Sequence, residues 1–321
     1  MTGAAAVAVV VTVRNEAHAI AELLDALAAQ TRPPDEIIVV DGGSSDGTLD
    51  AARAYQTRLP SLALHSAPGS NISQGRNVGT AAARSPFIAV TDAGCAPTPD
   101  WLAHIVAPLA TEANEAGADM VSGVVRARAD EHRQACIGAC TLSFQTRIGQ
   151  RVLHPTARTL AFRRAVWQAL GGFPERLDFG EDTAFITAAV EAGFRLEVAP
   201  EAIVLWRPRR TYREVVRQFY HYADGLAQAG LSGRYHLRTA AQSVGGLACL
   251  VAGLVSGHWL PWALLAAGAA LYLGRKARQG CFAVPGWRTV YRTPLVLLAI
   301  HIGTMAGAIH GNLRWLRRAR P

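Results

Sequence analysis

The stretch "DEIIVVDGGSSDGT", residues Asp35–Thr48, decides how this chain folds. An apolar run of isoleucine and valine ends at Asp41, and glycines and small hydroxyl residues follow. This pattern is typical of a buried strand that turns directly into a helix. The glycines let the backbone approach a ligand closely, and a carboxylate at a strand end can bind a nucleobase or ribose. A plain turn, in which Ser45 or Asp46 caps the next helix, is the alternative interpretation.

Strands and helices alternate on both sides of this stretch. The alternation predicts an α/β fold, a Rossmann-like and mostly parallel sheet flanked by helices, with Asp41 and Asp92 at one edge because both follow a strand. Asn15 is predicted to be the N-cap of the first helix. The predicted strands are Ala6–Val13, Glu36–Val40, Ser61–His65 and Phe87–Thr91, and the predicted helices are Glu16–Gln30, Thr48–Gln56 and Gln74–Arg84.

After about residue 110 the apolar pattern becomes less regular. The sequence predicts a strand at Asp119–Val125 and a short extended segment at Thr159–Phe162. Helices are predicted at Arg133–Gln150, Gly180–Gly193 and Tyr212–Ala229. The helix at 180 begins with two acidic residues, which are favourable at a helix N-terminus.

The C-terminal part of the chain differs in charge. From Gly225 onward there are eleven Lys and Arg residues and no Asp or Glu, and the runs Thr239–Gly274 and Thr293–Leu313 carry no charged residue. A membrane-spanning helix needs roughly 20 apolar residues, so a membrane-associated helical region is predicted at 231–321. The first run is read as a hairpin that turns at "SGHWLP" or as one long tilted helix. The second run is read as re-entrant or interfacial, and a buried soluble subdomain is the alternative for the whole region.

Basic clusters flank these apolar runs. Under the positive-inside rule they are expected to face the cytoplasm, which predicts a protein of the cytoplasmic membrane with its N-terminal domain on the cytoplasmic side. Basic tails also bind nucleic acid, but the apolar character of this one favours a membrane and argues against a nucleic-acid partner.

Several short motifs occur in a fixed order along the first two thirds of the chain. Together they resemble the family 2 glycosyltransferases, which have the nucleotide-sugar-binding GT-A fold. The resemblance covers about residues 6–210 and implies a domain at 1–230, with a nucleotide-binding half at 1–110 and an acceptor half at 111–230. The motifs are "TVRNE" (Thr12–Glu16), "VVDGGSSDGT" (Val39–Thr48), "GRNVG" (Gly75–Gly79), "TDAGC" (Thr91–Cys95), "GGF" (Gly171–Phe173) and "GED" (Gly180–Asp182).

The resemblance implies inverting transfer of a sugar from a nucleotide-diphosphate sugar to a lipid-linked or glycan acceptor. Asp182 would be the general base that takes the proton of the acceptor hydroxyl, and geometry is what makes such a base effective. Glu181 and Arg217 would lie on the acceptor side. The residues implied in nucleotide-sugar binding are Thr12, Arg14, Glu16, Asp41, Gly43, Arg76, Asn77 and Asp92.

The chain departs from the family pattern at three positions within its motifs. Thr12 and Arg14 replace the common Pro and Tyr of the first motif, and Gly94 replaces the second acid of a D-x-D motif. Asp92 would therefore hold Mg²⁺ or Mn²⁺ alone, with the donor diphosphate supplying further ligands, which predicts a weak, substrate-dependent metal site. His154 is a possible supplementary ligand, although a lone histidine is more often structural.

Two other functions fit parts of the sequence. A nucleotidyltransferase shares the Rossmann-like half, but the Gly-rich, Lys-containing phosphate loop expected after the first strand is absent from the sequence. A non-catalytic membrane protein that binds a nucleotide sugar would explain Gly94.

Overall fold

The computed structural model describes residues 5–110, 117–142, 146–148, 151–153, 156–231 and 233–318. The chain forms two compact units. The sheet unit comprises Met1–Ala127 and Gln145–Arg207, and the helical unit comprises Arg128–Phe144 and Pro208–Pro321. The functional boundary that the sequence suggests near residue 230 stays a prediction.

The described residues form ten strands and eleven helices. The strands are β1 (Val7–Val13), β2 (Glu36–Asp41), β3 (Leu62–Ser66), β4 (Phe87–Asp92), β5 (Cys95–Pro97), β6 (Met120–Ala127), β7 (Thr146–Ile148), β8 (Arg151–Leu153), β9 (Leu160–Arg163) and β10 (Leu196–Trp206). The helices are α1 (Ala17–Ala28), α2 (Thr48–Arg53), α3 (Ile72–Ala82), α4 (Trp101–Ala110), α5 (His132–Leu142), α6 (Arg164–Leu170), α7 (Glu181–Glu191), α8 (Tyr212–Gln228), α9 (Gly233–Ser256), α10 (Trp259–Arg278) and α11 (Thr289–Arg318).

The sheet unit is built on an eight-stranded mixed sheet in the order β3-β2-β1-β4-β9-β6-β10-β5. The first four strands in this order run parallel, as predicted, and β10 runs parallel to β6. Strand β9 is antiparallel to both of its neighbours, and β5 is antiparallel to β10. The near-continuous valine and isoleucine runs of β1 and β2 follow from burial on both faces of the sheet.

The pairing register brings three strand ends to one edge. Val13 is paired with Asp41, and Thr12 is paired with Asp92. The ends of β1, β2 and β4 are therefore neighbours, and the residues that follow them share one side of the unit. This is the edge at which open α/β sheets bind ligands.

Two local predictions are wrong. Glu16, not Asn15, is the N-cap of α1, because Asn15 has a left-handed backbone (φ 57°) and holds a neighbouring loop: its backbone N–H donates to the Ser44 hydroxyl, and its side-chain oxygen accepts from the Ser45 N–H. The helix predicted to reach residue 150 ends at Leu142. Strands β7 and β8 lie in the predicted helical range and just beyond it, and they pair antiparallel, which suits their β-branched residues.

In the helical unit, α9 and α10 form a hairpin that turns at residues 257–258, one of the two arrangements predicted. Trp262 of α10 packs against Gly253 of α9, where a Cβ would lie 2.7 Å from the indole. Two helices in the described part of the chain, Leu237–Ser256 and Thr289–Arg317, are long and apolar enough to cross a membrane. Of the most apolar stretch of each helix, 11% is buried in the first and 50% in the second.

Helix α11 packs unusually closely against α8, and this contact buries part of it. Three glycines one turn apart, Gly303, Gly307 and Gly311, face backbone carbonyls of α8, and a Cβ at Gly307 would overlap the carbonyl oxygen of Tyr220. Small residues at this spacing let two helix backbones come together, as they do in membrane helix pairs. Beside this contact the buried carboxylate of Asp224 lies 3.2 Å from the His310 ring nitrogen.

Gly307→Ala is expected to destabilise the helical unit by about 2 kcal/mol, because the added methyl forces α8 and α11 apart. Gly268→Ala is the matched control, since a Cβ there meets nothing within 4 Å and alanine favours a helix over glycine by about 1 kcal/mol. Thermal unfolding in detergent should give a lowered Tm for the first variant only. An equal Tm for both variants would contradict the packing described.

Candidate functional site

The loop after β2 is organised around the carboxylate of Asp41. Asp41 is 1% exposed and accepts hydrogen bonds from the backbone N–H groups of Gly43 and Ser44 and from the Ser44 hydroxyl. The φ angle of Gly43 is 97°, a left-handed value that lets the chain wrap around the carboxylate. The buried acid thus shapes the loop, and its contact with a nucleotide stays a prediction.

The end of β1 is connected to this loop by hydrogen bonds. The N–H of Glu16 donates to the Thr48 hydroxyl, and Thr12 packs against α3, where a Cβ at Gly75 would lie 2.9 Å from its methyl group. Arg14 is exposed just beyond the strand. The predicted nucleotide-binding residues of β1 and β2 therefore lie around one shared edge of the sheet.

The centre of the site is the guanidinium of Arg76, on α3. It is 2% exposed and forms ion pairs with Glu181 on α7, at 2.5 Å, and with Asp92 at the end of β4, at 2.9 Å. The Phe173 ring covers it at 5.6 Å. A buried arginine needs such partners, because an unpaired charge in the interior is costly.

The charges in this cluster shift the pKa values of its members. Burial alone favours neutral Arg76, but the carboxylates of Glu181, Asp92 and Asp182 outweigh it and raise the arginine pKa. Burial, and then the adjacent Asp182 carboxylate, raise the pKa of Glu181 to about 7 against the opposing charge of Arg76. Glu181 therefore has a buried partner that the sequence did not indicate, and its predicted acceptor-side role remains untested.

Asp182 is partly exposed beside the buried Glu181, as expected for adjacent residues in the first turn of a helix. Its Oδ2 accepts a hydrogen bond from the backbone N–H of Ala157 at 3.0 Å, and its Oδ1 accepts one from the N–H of Thr183 at 2.7 Å. Two backbone donors thus hold the predicted base in one orientation.

Asn77, one residue after Arg76, is held by the turn that contains the "GGF" motif. Its amide nitrogen donates to the Phe173 carbonyl and to Glu175, and its oxygen accepts from the Phe173 N–H and the Trp167 indole. Gly172 has φ 92°, and a Cβ there would lie 2.7 Å from the Asn77 oxygen. A nucleotide contact by Asn77 would have to replace one of these bonds.

Sequence reasoning missed Arg158 and Trp206. The Arg158 guanidinium lies 4.7 Å above the Trp206 ring, and its Nε is 4.0 Å from Oδ2 of Asp92. Its backbone carbonyl accepts a hydrogen bond from the Thr91 hydroxyl at 2.9 Å. Strand β9 pairs antiparallel with β4, and this pairing brings the segment to the site. No local sequence pattern predicts the pairing.

Asp92 is the residue best placed to meet a metal ion. Arg76 occupies one of its oxygens, and within the described ranges no group of three or more His, Cys, Asp or Glu side chains is arranged to hold a metal. Cys95 nearby is no substitute, because burial and then Asp92 raise the pKa of its thiol to about 12. These residues fit an ion held jointly with a bound diphosphate and do not form a resident metal centre.

Two predicted positions belong to other parts of the chain than the sheet unit's described residues. Arg217 is exposed on α8, in the helical unit. His154 falls outside the described residues, so its predicted metal ligation stays a prediction.

Comparison with known proteins identifies the family of this chain. The model of the family described as Glycosyl transferase family 2 matches residues 8–198. Glycosyltransferase AglE of Haloferax volcanii is 29% identical over 240 residues, which are 72% of this chain and 76% of AglE. The O-antigen chain rhamnosyltransferase RfbN of Salmonella typhimurium is 23% identical over 62% of this chain and 65% of its own length.

Among solved structures, the mannosyltransferase PcManGT of Pyrobaculum calidifontis, in complex with GDP-Man and Mn²⁺, has a TM-score of 0.69 and 24% identity. The match covers 95% of this chain and 88% of that one. It confirms the predicted GT-A type of fold.

The raised pKa of Glu181 predicts a specific pH dependence of stability. A carboxyl whose folded pKa lies above its unfolded value stabilises the fold at low pH, and this contribution is lost as pH rises from about 4.5 to about 7. The Tm of the wild type should therefore fall more steeply over this range than the Tm of Glu181→Gln. The corresponding loss in the free energy of unfolding is at most about 3 kcal/mol. Parallel Tm curves would refute the shift.

Proposed function

Because this chain belongs to glycosyl transferase family 2, we propose that it transfers a sugar, with inversion, from a nucleotide-diphosphate sugar to a hydroxyl of a lipid-linked or glycan acceptor. The observation that carries the proposal is the cluster of Asp182, Glu181, Arg76 and Asp92 at the edge of the sheet. Backbone N–H groups hold the partly exposed carboxylate of Asp182 there. Asp92, an acid at a strand end, is suited to the nucleotide-sugar donor.

Asp182 acts as the general base. Its carboxylate takes the proton of the acceptor hydroxyl while that oxygen attacks the anomeric carbon, and the bond from this carbon to the diphosphate breaks on the opposite side. The N–H groups of Ala157 and Thr183 aim the carboxylate before the acceptor arrives. General bases contribute about 10²- to 10⁴-fold to such reactions.

The donor nucleotide binds along the ends of β1, β2 and β4. Thr12, Arg14 and Glu16 line one side, and the loop held by Asp41 brings backbone N–H groups to the other. Gly43 lets the backbone of that loop come close to the nucleotide. Arg76 contributes by fixing Asp92, and Asn77 by holding the turn at 171–173.

Asp92 would hold a divalent ion, Mg²⁺ or Mn²⁺, only together with the bound donor. Asp92 would supply one carboxylate oxygen and the donor diphosphate the rest, which suits ions that keep several non-protein ligands. Bound in this way, the ion would help to neutralise the departing diphosphate.

The helical unit attaches the protein to the cytoplasmic membrane, with the sheet unit on the cytoplasmic side. The support is the large number of exposed apolar side chains on α9 and α10 and the basic residues that end α10. The positive-inside rule assigns that end to the cytoplasm. A membrane-bound enzyme would meet a lipid-linked acceptor directly, with Glu181 and Arg217 among the predicted acceptor-side residues.

Asp182→Asn should lower sugar transfer or donor hydrolysis by about 10³-fold, because the amide accepts no proton. The affinity for the nucleoside diphosphate should change little. Glu191→Gln, an exposed acid at the end of the same helix, is the matched control and should keep full activity. Normal turnover by Asp182→Asn would exclude it as the base.

Membrane attachment is tested with paired substitutions in the hairpin. Leu254 and Leu271 are 68% and 75% exposed on α9 and α10, and an aspartate at a lipid-facing position costs about 2.5–3.5 kcal/mol. The wild type and the control Leu254→Ala/Leu271→Ala should stay with the membrane fraction in high salt. Leu254→Asp/Leu271→Asp should be released. Release of the wild type by salt alone would contradict insertion.

A further inference from the structure

We propose that Arg158 contacts the diphosphate of the donor and supplies much of the positive charge that a metal held by two carboxylates would otherwise provide. The proposal rests on the function proposed above and adds a residue to which neither the motifs nor the comparisons assign a role. Its consequence is that donor binding depends more on this guanidinium than on a divalent ion.

The first support is the charge balance at Asp92. Its Oδ1 is bound by Arg76 at 2.9 Å, and its Oδ2 lies 4.0 Å from the Nε of Arg158. With glycine at position 94, this one carboxylate faces two guanidinium groups. Asp92 shares Arg76 with Glu181, and its second oxygen lies 4.0 Å from the Arg158 guanidinium, so it attracts a further divalent cation less strongly than an unpaired carboxylate would, whereas the Arg158 guanidinium attracts a diphosphate.

The second support is that Arg158 is fixed in position. Its guanidinium carbon lies over the Trp206 ring, 4.7 Å from the ring centroid, and its side chain is 17% exposed. Its backbone carbonyl accepts a hydrogen bond from the hydroxyl of Thr91, the residue before Asp92. An arginine over an aromatic ring keeps its charge and its flat array of donors. Such an array matches phosphate oxygens, and prior fixation reduces the entropy lost on binding.

The third support is the position of Arg158 relative to the base. The neighbouring residue, Ala157, donates its N–H to Asp182, so one short segment holds the base and places a cation at Asp92. During transfer, the electron pair of the bond between the anomeric carbon and the diphosphate passes to the phosphate oxygen, while the acceptor proton passes to Asp182. A guanidinium beside that oxygen stabilises the charge as it forms.

A substitution at position 94 can create the alternative site, in which two carboxylates hold a metal ion. A Cβ on Gly94 would meet nothing within 4 Å, and its φ is not left-handed, so an aspartate is accommodated there. Gly94→Asp restores the second acid of the motif and should convert the site toward metal dependence. Gly94→Ala is the matched control, because it removes the glycine without adding a carboxylate.

The experiment measures binding of UDP, GDP and dTDP to the full chain in detergent, by calorimetry, in EDTA and in Mn²⁺. The wild type should bind its preferred nucleoside diphosphate in EDTA. Arg158→Gln should weaken this binding by roughly 10- to 100-fold, the loss expected for a hydrogen bond to a charged group, and Arg158→Lys by less. Arg84→Gln is the control, because it removes one positive charge from the surface, at a side chain that is 91% exposed.

The double variant Arg158→Gln/Gly94→Asp should regain binding in Mn²⁺ but not in EDTA, a split that a purely structural role of Arg158 would not produce. Electron paramagnetic resonance should show more Mn²⁺ bound by Gly94→Asp than by Gly94→Ala when no nucleotide is present. Equal affinities of the wild type and Arg158→Gln in EDTA, or wild-type binding only with Mn²⁺, would overturn the inference. Absence of wild-type binding in both conditions would instead contradict the proposed function.

Discussion

A buried guanidinium that bridges two carboxylates is the constraint on which the rest of the site depends. Arg76 comes from α3, Asp92 from the end of β4 and Glu181 from the start of α7, so one side chain joins elements that lie far apart in the sequence. Removing one partner of a buried ion pair costs about 3–5 kcal/mol, because a charge is left without compensation. The position of α7, and hence of Asp182, therefore follows from the burial of Arg76.

The site is assembled mainly by the backbone around fixed polar side chains. Asp41 gathers the N–H groups of its own loop, Asn77 holds the turn at 171–173, and Ala157 orients Asp182. Asp41 is buried, so its hydrogen bonds satisfy a polar group that would otherwise be buried at a cost. The same contacts leave Asp182 and Asp92 as partly exposed acids, while Arg76 pairs with Asp92 and with Glu181, the neighbour of Asp182.

The parallel half of the sheet and the strand-end position of Asp41 and Asp92 could be predicted from the sequence, because buried valine and isoleucine runs alternate with helical periodicity. The position of Arg158 next to Asp92 could not be predicted, since it depends on the antiparallel pairing of β9 between β4 and β6. Local patterns also failed at Asn15, where a side chain that commonly caps a helix holds a loop instead. The burial of Arg76 was likewise hidden, because its partners lie 16 and 105 residues away.

The central claim is that a single oriented carboxylate, Asp182, drives direct displacement at the anomeric carbon. The stereochemistry of the product tests this claim most directly. Proton NMR of the first product formed from an α-linked nucleotide sugar should show only the β-anomer, because one displacement inverts the anomeric centre. A product of retained α-configuration would require a second displacement or attack from the same face, and would contradict the account.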